Sequence, residues 1–113
     1  MLVETPSSKL EAQLMLNPEG RLADVGLLLV HPYSLLGGSM HDGVVTELFR
    51  QAMEGGQFGA VLRYNQRGVG LSSGSRLSLW NLRGQEDAAD VIELVDFLAG
   101  RLEGQRKRVV VVG

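Results

Sequence analysis

Four consecutive valines, Val109 to Val112, stand before Gly113 at the end of the chain. β-Branched residues favour extended backbone, and a strand that is apolar on both faces belongs in a parallel sheet covered by helices. Sheets of this kind bind their ligands in the loops just beyond the carboxyl ends of the strands. The valine run therefore predicts an α/β fold with its functional residues at the rim that Gly113 reaches.

Composition supports one globular domain and narrows the classes of partner. The chain has 113 residues, 44% of them hydrophobic and 21% charged, with a net charge of −2. This balance argues against a general nucleic-acid binder, which is usually strongly basic. The chain has no cysteine, which excludes a disulfide framework and thiolate chemistry. No secretory signal or membrane-spanning run is present, so we expect a cytoplasmic protein with no membrane partner. The oligomeric state is not set by these features.

Two strands are predicted in the first thirty residues. Apolar residues alternate with polar ones and Met15 from Leu10 to Leu16, a period of two that indicates a strand with one buried face. Asn17 to Gly20 is a turn signal. A second strand follows and ends in Gly26 to Val30. We expect these two strands to pair as a hairpin.

A first helix and a third strand are predicted next. Ser39 and Asp42 have the spacing of a capping box. An apolar stripe at helical spacing follows, and Gly55-Gly56 supplies the stop. The stripe consists of Val45, Leu48, Phe49 and Ala52. Phe58 to Tyr64 then predicts a strand, and Asn65 to Asn81 predicts a long connection, which is uncommon unless functional.

The second helix has the clearest pattern. Its apolar positions hold helical spacing over four turns: Ala88, Val91, Ile92, Val95, Leu98, Ala99 and Leu102. Glu86, Asp87 and Asp90 place negative charge near its amino end, where the helix dipole favours it. The basic residues Arg101 and Arg106 to Arg108 close this region and are interpreted as solvated charges.

The order strand, strand, helix, strand, helix, strand contains two successive crossover units. The strands at 27–30, 60–64 and 109–112 should then be parallel, with right-handed connections. Because parallel strands end at the same rim, the loops 31–38 and 65–74 should converge there, beside Gly113.

Both rim loops carry distinctive sequences. His31 to Gly38 is H-P-Y-S-L-L-G-G, and Arg63 to Gly74 is R-Y-N-Q-R-G-V-G-L-S-S-G. Together with R-V-V-V-V-G at the end, they resemble the α/β-hydrolase superfamily, specifically its small bacterial-type hydrolases with H-P-x-x-x-x-G-G and R-F-N-x-R-G-V-G-x-S-x-G loops. The resemblance covers Leu27 to Gly113. It implies the amino-terminal half of a single, incomplete α/β-hydrolase domain over residues 1–113, a β-hairpin followed by two parallel crossover units and truncated at the nucleophile elbow.

The resemblance also implies a partial active site. Gly113 would be the first glycine of the nucleophile elbow G-x-S-x-G, with the serine two residues further on. The backbone N–H of Tyr33 would be one donor of the oxyanion hole, since Pro32 has no N–H. His31, Gly37 and Gly38 would lie against substrate, although the two glycines could equally serve only to allow a tight path into the helix. Arg67 and Gly68 are expected to pin their loop rather than touch substrate. Asn65 stands where many members carry aspartate.

Serine hydrolase chemistry is the function that this resemblance implies. The full-length protein would be an esterase-like enzyme that cleaves a carboxylic ester, thioester or amide of a small-molecule acyl substrate through an acyl-enzyme, without metal or cofactor. The chain itself lacks the Ser/Asp/His triad and is expected to be inactive. The alternative is a non-catalytic α/β module that binds a partner through its exposed last strand.

Two other sites are disfavoured by the sequence. His31 and His41, with Ser34, Ser39 and Asp42, lie close in sequence, but such proximity rarely provides triad geometry. Gly68, Gly70 and Gly74 do not complete a dinucleotide fingerprint, because Ser73 stands where its third glycine should be. Neither a self-contained triad nor a nucleotide site is therefore expected.

Overall fold

The computed structural model describes residues 1–32, 38–74 and 85–113. Five strands and two helices occur in these ranges: β1 (Leu2–Glu4), β2 (Lys9–Leu16), β3 (Leu22–Leu29), α1 (Gly43–Gly55), β4 (Phe58–Tyr64), α2 (Gln85–Ala99) and β5 (Arg108–Val112). The predicted elements are all present, close to their predicted bounds. The short β1, which pairs antiparallel with β2, was not predicted.

The strands form one sheet in the order β1-β2-β4-β3-β5. β3 pairs in parallel with β4 on one side and with β5 on the other, as the crossover pattern predicts. The predicted hairpin between β2 and β3 is wrong, because β2 pairs antiparallel with β4 instead. Since β4 and β5 use both edges of the apolar β3, the half-polar β2 is left on the outer side of β4.

The ends of α1 differ partly from prediction. Asp42, not Ser39, is the N-cap, and its carboxylate accepts from the N–H of Val44 at 3.0 Å. Ser39 instead begins a turn, in which the backbone carbonyl of Ser39 accepts from the N–H of Asp42 at 2.9 Å. At the other end Gly56 has φ +62° and caps the helix, as predicted for the glycine pair.

The two helices cover opposite faces of the sheet. Val45 and Phe49 of α1 pack on one face, which is lined by Leu27, Leu29 and Val61. Leu94, Leu98 and Leu102 pack on the other, which is lined chiefly by Leu10, Leu28, Leu62 and Tyr64. The apolar pattern of α2 was partly misjudged, because Ile92 is 65% exposed whereas Leu94, absent from the predicted stripe, is fully buried. The orientation of α2 on the sheet, rather than the type of side chain, decides which of Ile92 and Leu94 is buried.

β5 is less enclosed than its sequence predicts. Val110, Val111 and Val112 are exposed by 47%, 44% and 39%, because β5 pairs only with β3 in the described part of the chain. The two helices pack more against β3, the neighbour of β5, than against β5 itself. Its outer edge and much of its apolar surface therefore face outward.

No helix within residues 1–32, 38–74 and 85–113 combines the length and the apolarity that crossing a membrane requires.

Gly59 allows β3 to bulge against β4. The pairing steps from Leu22 opposite Phe58 to Gly26 opposite Ala60, so three residues of β3 oppose Gly59 alone. The bulge presses the Ala23 carbonyl against Gly59, and a Cβ there would fall far inside van der Waals contact with backbone atoms.

Gly59→Ala should therefore lower the free energy of unfolding by about 1–3 kcal/mol or more, the usual cost of forcing atoms into a packed site. Gly55→Ala is the matched control, because a Cβ at Gly55 would meet nothing within 4 Å. Gly55 belongs to α1, where alanine is favoured over glycine. Urea denaturation of both variants checks this. Equal stabilities would contradict the assignment of Gly59 as a close-approach position.

Candidate functional site at the carboxyl rim of the sheet

The rim brings together some of the residues predicted for the site. His31 lies two residues after the end of β3 and is buried, Gly113 follows β5, and Gly38 precedes the turn into α1. Tyr33 and Gly37 lie outside the described residues, so the predicted oxyanion donor and the first glycine of the pair are not located. Strand pairing places the ends of β3 and β5 side by side, since the N–H of Val30 donates to the Val112 carbonyl at 2.8 Å.

Gly113 lies hard against the end of β3. A Cβ on Gly113 would stand 2.9 Å from the Cβ of Val30, closer than such atoms approach in proteins. A larger residue at this position would therefore force Val30 or the chain at Gly113 to shift, which favours glycine here.

An apolar cleft of about 430 Å³ opens on the α1 side of the rim. Its walls are formed by the ends of β3 and β5, by Pro32 of loop 31–38, and by the start of α1. The lining residues are Leu29, Val30, Pro32, Asp42, Val44, Val45, Leu48, Val112 and Gly113. The cleft thus places Pro32 and Gly113 on the same apolar surface, a size and character suited to a small organic group.

His31 and Gln66 connect the two rim loops. The backbone N–H of Gln66 donates to Nε2 of His31 at 2.9 Å, and the Gln66 side-chain amide donates to the His31 carbonyl at 3.2 Å. On the other side of the ring, Nδ1 lies 2.6 Å from the Pro32 carbonyl oxygen. The sequence offered no signal for Gln66, because it occupies a variable position of the loop pattern.

Asn65 links the second loop to β2 and to the turn before α1. Its side-chain N–H donates to Oε1 of Glu11 at 2.7 Å, and its side-chain Oδ1 accepts from the N–H of Met40 at 2.8 Å. Oε1 of Glu11 also accepts from the N–H of Leu71 at 3.1 Å. That backbone bond and the Asn65 amide hold the pKa of the Glu11 carboxyl below its usual value. Asn65 can donate here, whereas an aspartate could not.

Arg67 anchors the second loop to α2. Its guanidinium donates to both oxygens of Asp90, Nε at 2.7 Å and Nη2 at 2.9 Å, and to Glu86 at 3.2 Å. Asp90 is only 1% exposed and also accepts from the Ser8 hydroxyl at 2.9 Å. Hydrogen bonding to Asp90 raises the pKa of Arg67. Arg67 therefore pins its loop, as the sequence predicts, while Asp90 is a buried partner rather than a dipole-facing surface charge.

The glycines of the second loop serve its backbone path. Gly68, Gly70 and Gly74 have φ of +76°, +55° and +85°, values that favour glycine. A Cβ on Gly70 would also lie 2.6 Å from Nδ2 of Asn65. These glycines fold the loop back onto β2, where the Ser73 N–H donates to the Lys9 carbonyl at 2.8 Å.

The histidines and serines of the described residues do not assemble a triad. His41 is exposed, and its backbone N–H, not its ring, donates to the Ser39 hydroxyl at 3.1 Å. Asp42 is occupied as the α1 N-cap. Ser34 lies outside the described residues. In the part of the chain that the structure describes, no three His, Asp or Glu residues cluster closely enough to hold a metal ion.

Arg67→Met should destabilise the fold by about 3–5 kcal/mol, because among the described residues it leaves the buried Asp90 carboxylate with the Ser8 hydroxyl as its only partner. Arg50→Met is the matched control. Arg50 pairs with Glu47 and Glu54 on the exposed surface of α1, where solvent screening leaves such pairs little effect on stability. Denaturant titration measures both losses, and similar losses would mean that the Asp90 pair has no special weight.

Asn65→Asp should destabilise the chain by about 1–3 kcal/mol at neutral pH, because it replaces a donor to Glu11 with a second carboxylate. One carboxyl must then take a proton, so the deficit relative to wild type should shrink as the pH falls towards about 5. The wild type behaves oppositely. Since the folded-state pKa of Glu11 is lowered, its stabilising contribution is present above the unfolded-state pKa and is lost as the pH falls through the folded-state value.

The control combines Asn65→Asp with Glu11→Gln, which restores a donor facing the carboxylate and should recover stability at neutral pH. Thermal unfolding across the pH range compares the three proteins. A deficit independent of pH, or undiminished in the double variant, would count against charge repulsion as its cause.

Comparison with known proteins extends the sequence resemblance. No protein-family model and no curated protein sequence matches the chain. Solved structures do: an α/β serine hydrolase homologue from Coxiella burnetii (26% identity, TM-score 0.68) and an α/β serine hydrolase without lid from Xanthomonas campestris (29%, 0.68). A protein of unknown function described as a putative α/β hydrolase from Agrobacterium tumefaciens is similar too (25%, 0.69).

The matches extend over nearly the whole of this chain but only part of each structure. They cover 98% of the chain and 49%, 47% and 46% of the Coxiella, Xanthomonas and Agrobacterium proteins. The chain therefore spans about half the length of the structures it resembles. Its mixed five-stranded sheet with two helices has the α/β-hydrolase fold over that length, as expected for an amino-terminal half.

Proposed function

We propose that this chain forms the amino-terminal half of an esterase-like serine hydrolase and supplies one side of its acyl-transfer site. The substrate would be a small-molecule carboxylic ester, thioester or amide. The observation that carries the proposal is the rim geometry: β3 and β5 end side by side, and Pro32 and Gly113 line one apolar cleft. Similarity to serine hydrolase structures supports the proposal that this rim carries out acyl transfer.

In the proposed reaction, a serine two residues after Gly113 attacks the acyl carbonyl, and a histidine takes its proton. The negative charge that develops on the carbonyl oxygen is received by two backbone amides, one from Tyr33 and one from the residue after the serine. A donor of this kind typically contributes ~3–4 kcal/mol to transition-state stabilisation. The alcohol, thiol or amine departs with the proton, and water then hydrolyses the acyl-enzyme.

The rim residues have distinct parts in this scheme. Gly113, as first glycine of the elbow, would let the strand turn sharply beside Val30, where a Cβ would lie too close. Pro32, Val44 and Val112 offer apolar surface on which an acyl group could rest. His31, Gly37 and Gly38 remain the residues expected to lie against substrate. The triad serine, acid and histidine would come from the segment that follows β5 in the longer structures, so these 113 residues would be inactive by themselves.

A second candidate function rests on the exposure of β5. Val110 to Val112 present an apolar strand whose outer edge carries no partner strand in the described part of the chain. Such an edge is a template for strand addition. On this account the chain is a non-catalytic module that binds an extended segment of another protein.

A fluorophosphonate probe tests the proposed function. The coding sequence beyond codon 113 should specify serine at the second following position, and the polypeptide that includes this continuation should be labelled. Replacing that serine with alanine should abolish labelling, and the 113-residue chain should remain unlabelled. Labelling of the 113-residue chain would contradict the assignment of the nucleophile. A stop codon after Gly113, with a monomeric and cooperatively folded product, would favour the binding module.

A further inference from the structure

Arg63 lies next to the end of β4, and its side chain contacts both β2 and α1. Nε and Nη2 donate to Oε1 of Gln13 on β2, at 2.8 and 2.5 Å. Nη1 donates to the Met40 carbonyl oxygen and to the Thr46 hydroxyl oxygen, each at 3.0 Å. The guanidinium carbon also stands 4.8 Å from the centre of the Phe49 ring. These contacts hold the guanidinium in one orientation.

One N–H of this guanidinium has no acceptor. A guanidinium carries five N–H donors: one on Nε and two on each Nη. The contacts with Gln13, Met40 and Thr46 use the one on Nε, both on Nη1 and one on Nη2. Among the described residues, nothing accepts from the second N–H of Nη2. That donor is available to a ligand.

No carboxylate balances the charge of Arg63. All 13 Asp and Glu residues of the chain lie in the described ranges, because residues 33–37 and 75–84 contain neither type. None of these acids forms an ion pair with Arg63, whereas Arg50 and Arg67 each pair with two. Burial accordingly lowers the pKa of Arg63, while acidic partners raise the pKa of Arg50 and of Arg67. Arg63 is thus a fixed, partly buried cation without a counter-ion in this chain.

The side chains on either side of Arg63 can donate as well. In the described part of the chain, neither the side-chain NH2 of Gln13 nor the hydroxyl proton of Thr46 has an acceptor. The acidic residues nearest to them in sequence, Glu11 and Glu47, already accept hydrogen bonds from other groups. The surroundings of the guanidinium therefore offer donors and no competing carboxylate.

We propose that Arg63, Gln13 and Thr46 form a binding site for a small oxyanion, a phosphate or carboxylate group, between β2 and α1. The available N–H of Nη2 donates to the anion, and the Gln13 amide and the Thr46 hydroxyl supply further donors. Hydrogen bonds between ionised partners are about twice as strong as neutral ones. None of the three residues lines the apolar cleft at the rim, so this site is separate from the proposed acyl transfer.

The competing explanation is that Arg63 serves only to tie β2 to α1. Gln13→Glu separates the two explanations. It keeps an acceptor for Nε and Nη2, so the fold should be retained, but it places a carboxylate beside the guanidinium and repels a second anion. Gln57→Glu is the matched control, because it makes the same change of charge on an exposed glutamine that does not contact Arg63.

Titration of the full-length protein with sodium phosphate, balanced with sodium chloride to constant ionic strength, tests the proposal by nitrogen-15 NMR. The Arg63 Nε–H and the backbone N–H signals of Gln13 and Thr46 should shift saturably in wild type and in Gln57→Glu. Gln13→Glu should weaken phosphate affinity by roughly tenfold or more, since a like charge within an interface is costly. Arg63→Gln should abolish the shifts, and if that variant does not fold, Gln13→Glu decides.

Acetate and phenyl phosphate define the ligand further. Tighter binding of phenyl phosphate than of inorganic phosphate would assign the site to a phosphoryl group on an organic molecule, and equal or weaker binding to the free ion. Saturable binding of acetate alone would assign it to a carboxylate. Absence of saturable shifts with all three probes, or an affinity unchanged by Gln13→Glu, would overturn the proposal and leave Arg63 as a structural tie.

Discussion

The central constraint on this molecule is that β3 must satisfy both of its edges and both of its faces at once. Leu27, Leu28 and Leu29 leave it no polar face to turn towards water. Its backbone groups pair with β4 and β5, and its side chains pack against α1 and α2. The parallel direction of these strands follows from the two crossover helices, and it brings the loops after β3 and β4 and the end of β5 to one rim.

At that rim, polar contacts replace apolar packing as the means of holding structure. Each rim loop must cover backbone groups that no strand pairs with, and buried polar atoms require partners. The loop after β4 meets this requirement through Asn65 on Glu11 and Arg67 on Asp90. It then reaches across to His31 through Gln66. The start of the first loop, at His31, is thus held by the second loop, which is itself anchored to β2 and α2.

The predictable parts of the fold were those coded by local pattern. The valines of β5, the alternation of β2 and the αL glycine after α1 each express a short-range preference, and each element was found. Pairing was less predictable, because the turn at Asn17 to Gly20 fits a hairpin but does not say that β3 has both edges occupied. The N-cap was misassigned to Ser39 for a similar reason, since Asp42 has the same capping chemistry three residues later. Ile92 and Leu94 show that helical spacing alone does not orient a helix on a sheet.

For the candidate site, sequence alone predicted which strand ends and loops meet at the rim. His31, Arg67 and Gly113 were each placed by counting from the end of a strand, because the carboxyl ends of parallel strands meet at one edge. Only the tertiary structure decided their partners. The contacts of His31 with Gln66, of Arg67 with Asp90 and of Asn65 with Glu11 join positions 35, 23 and 54 residues apart. Such pairs depend on the path of the whole chain, which no local preference encodes.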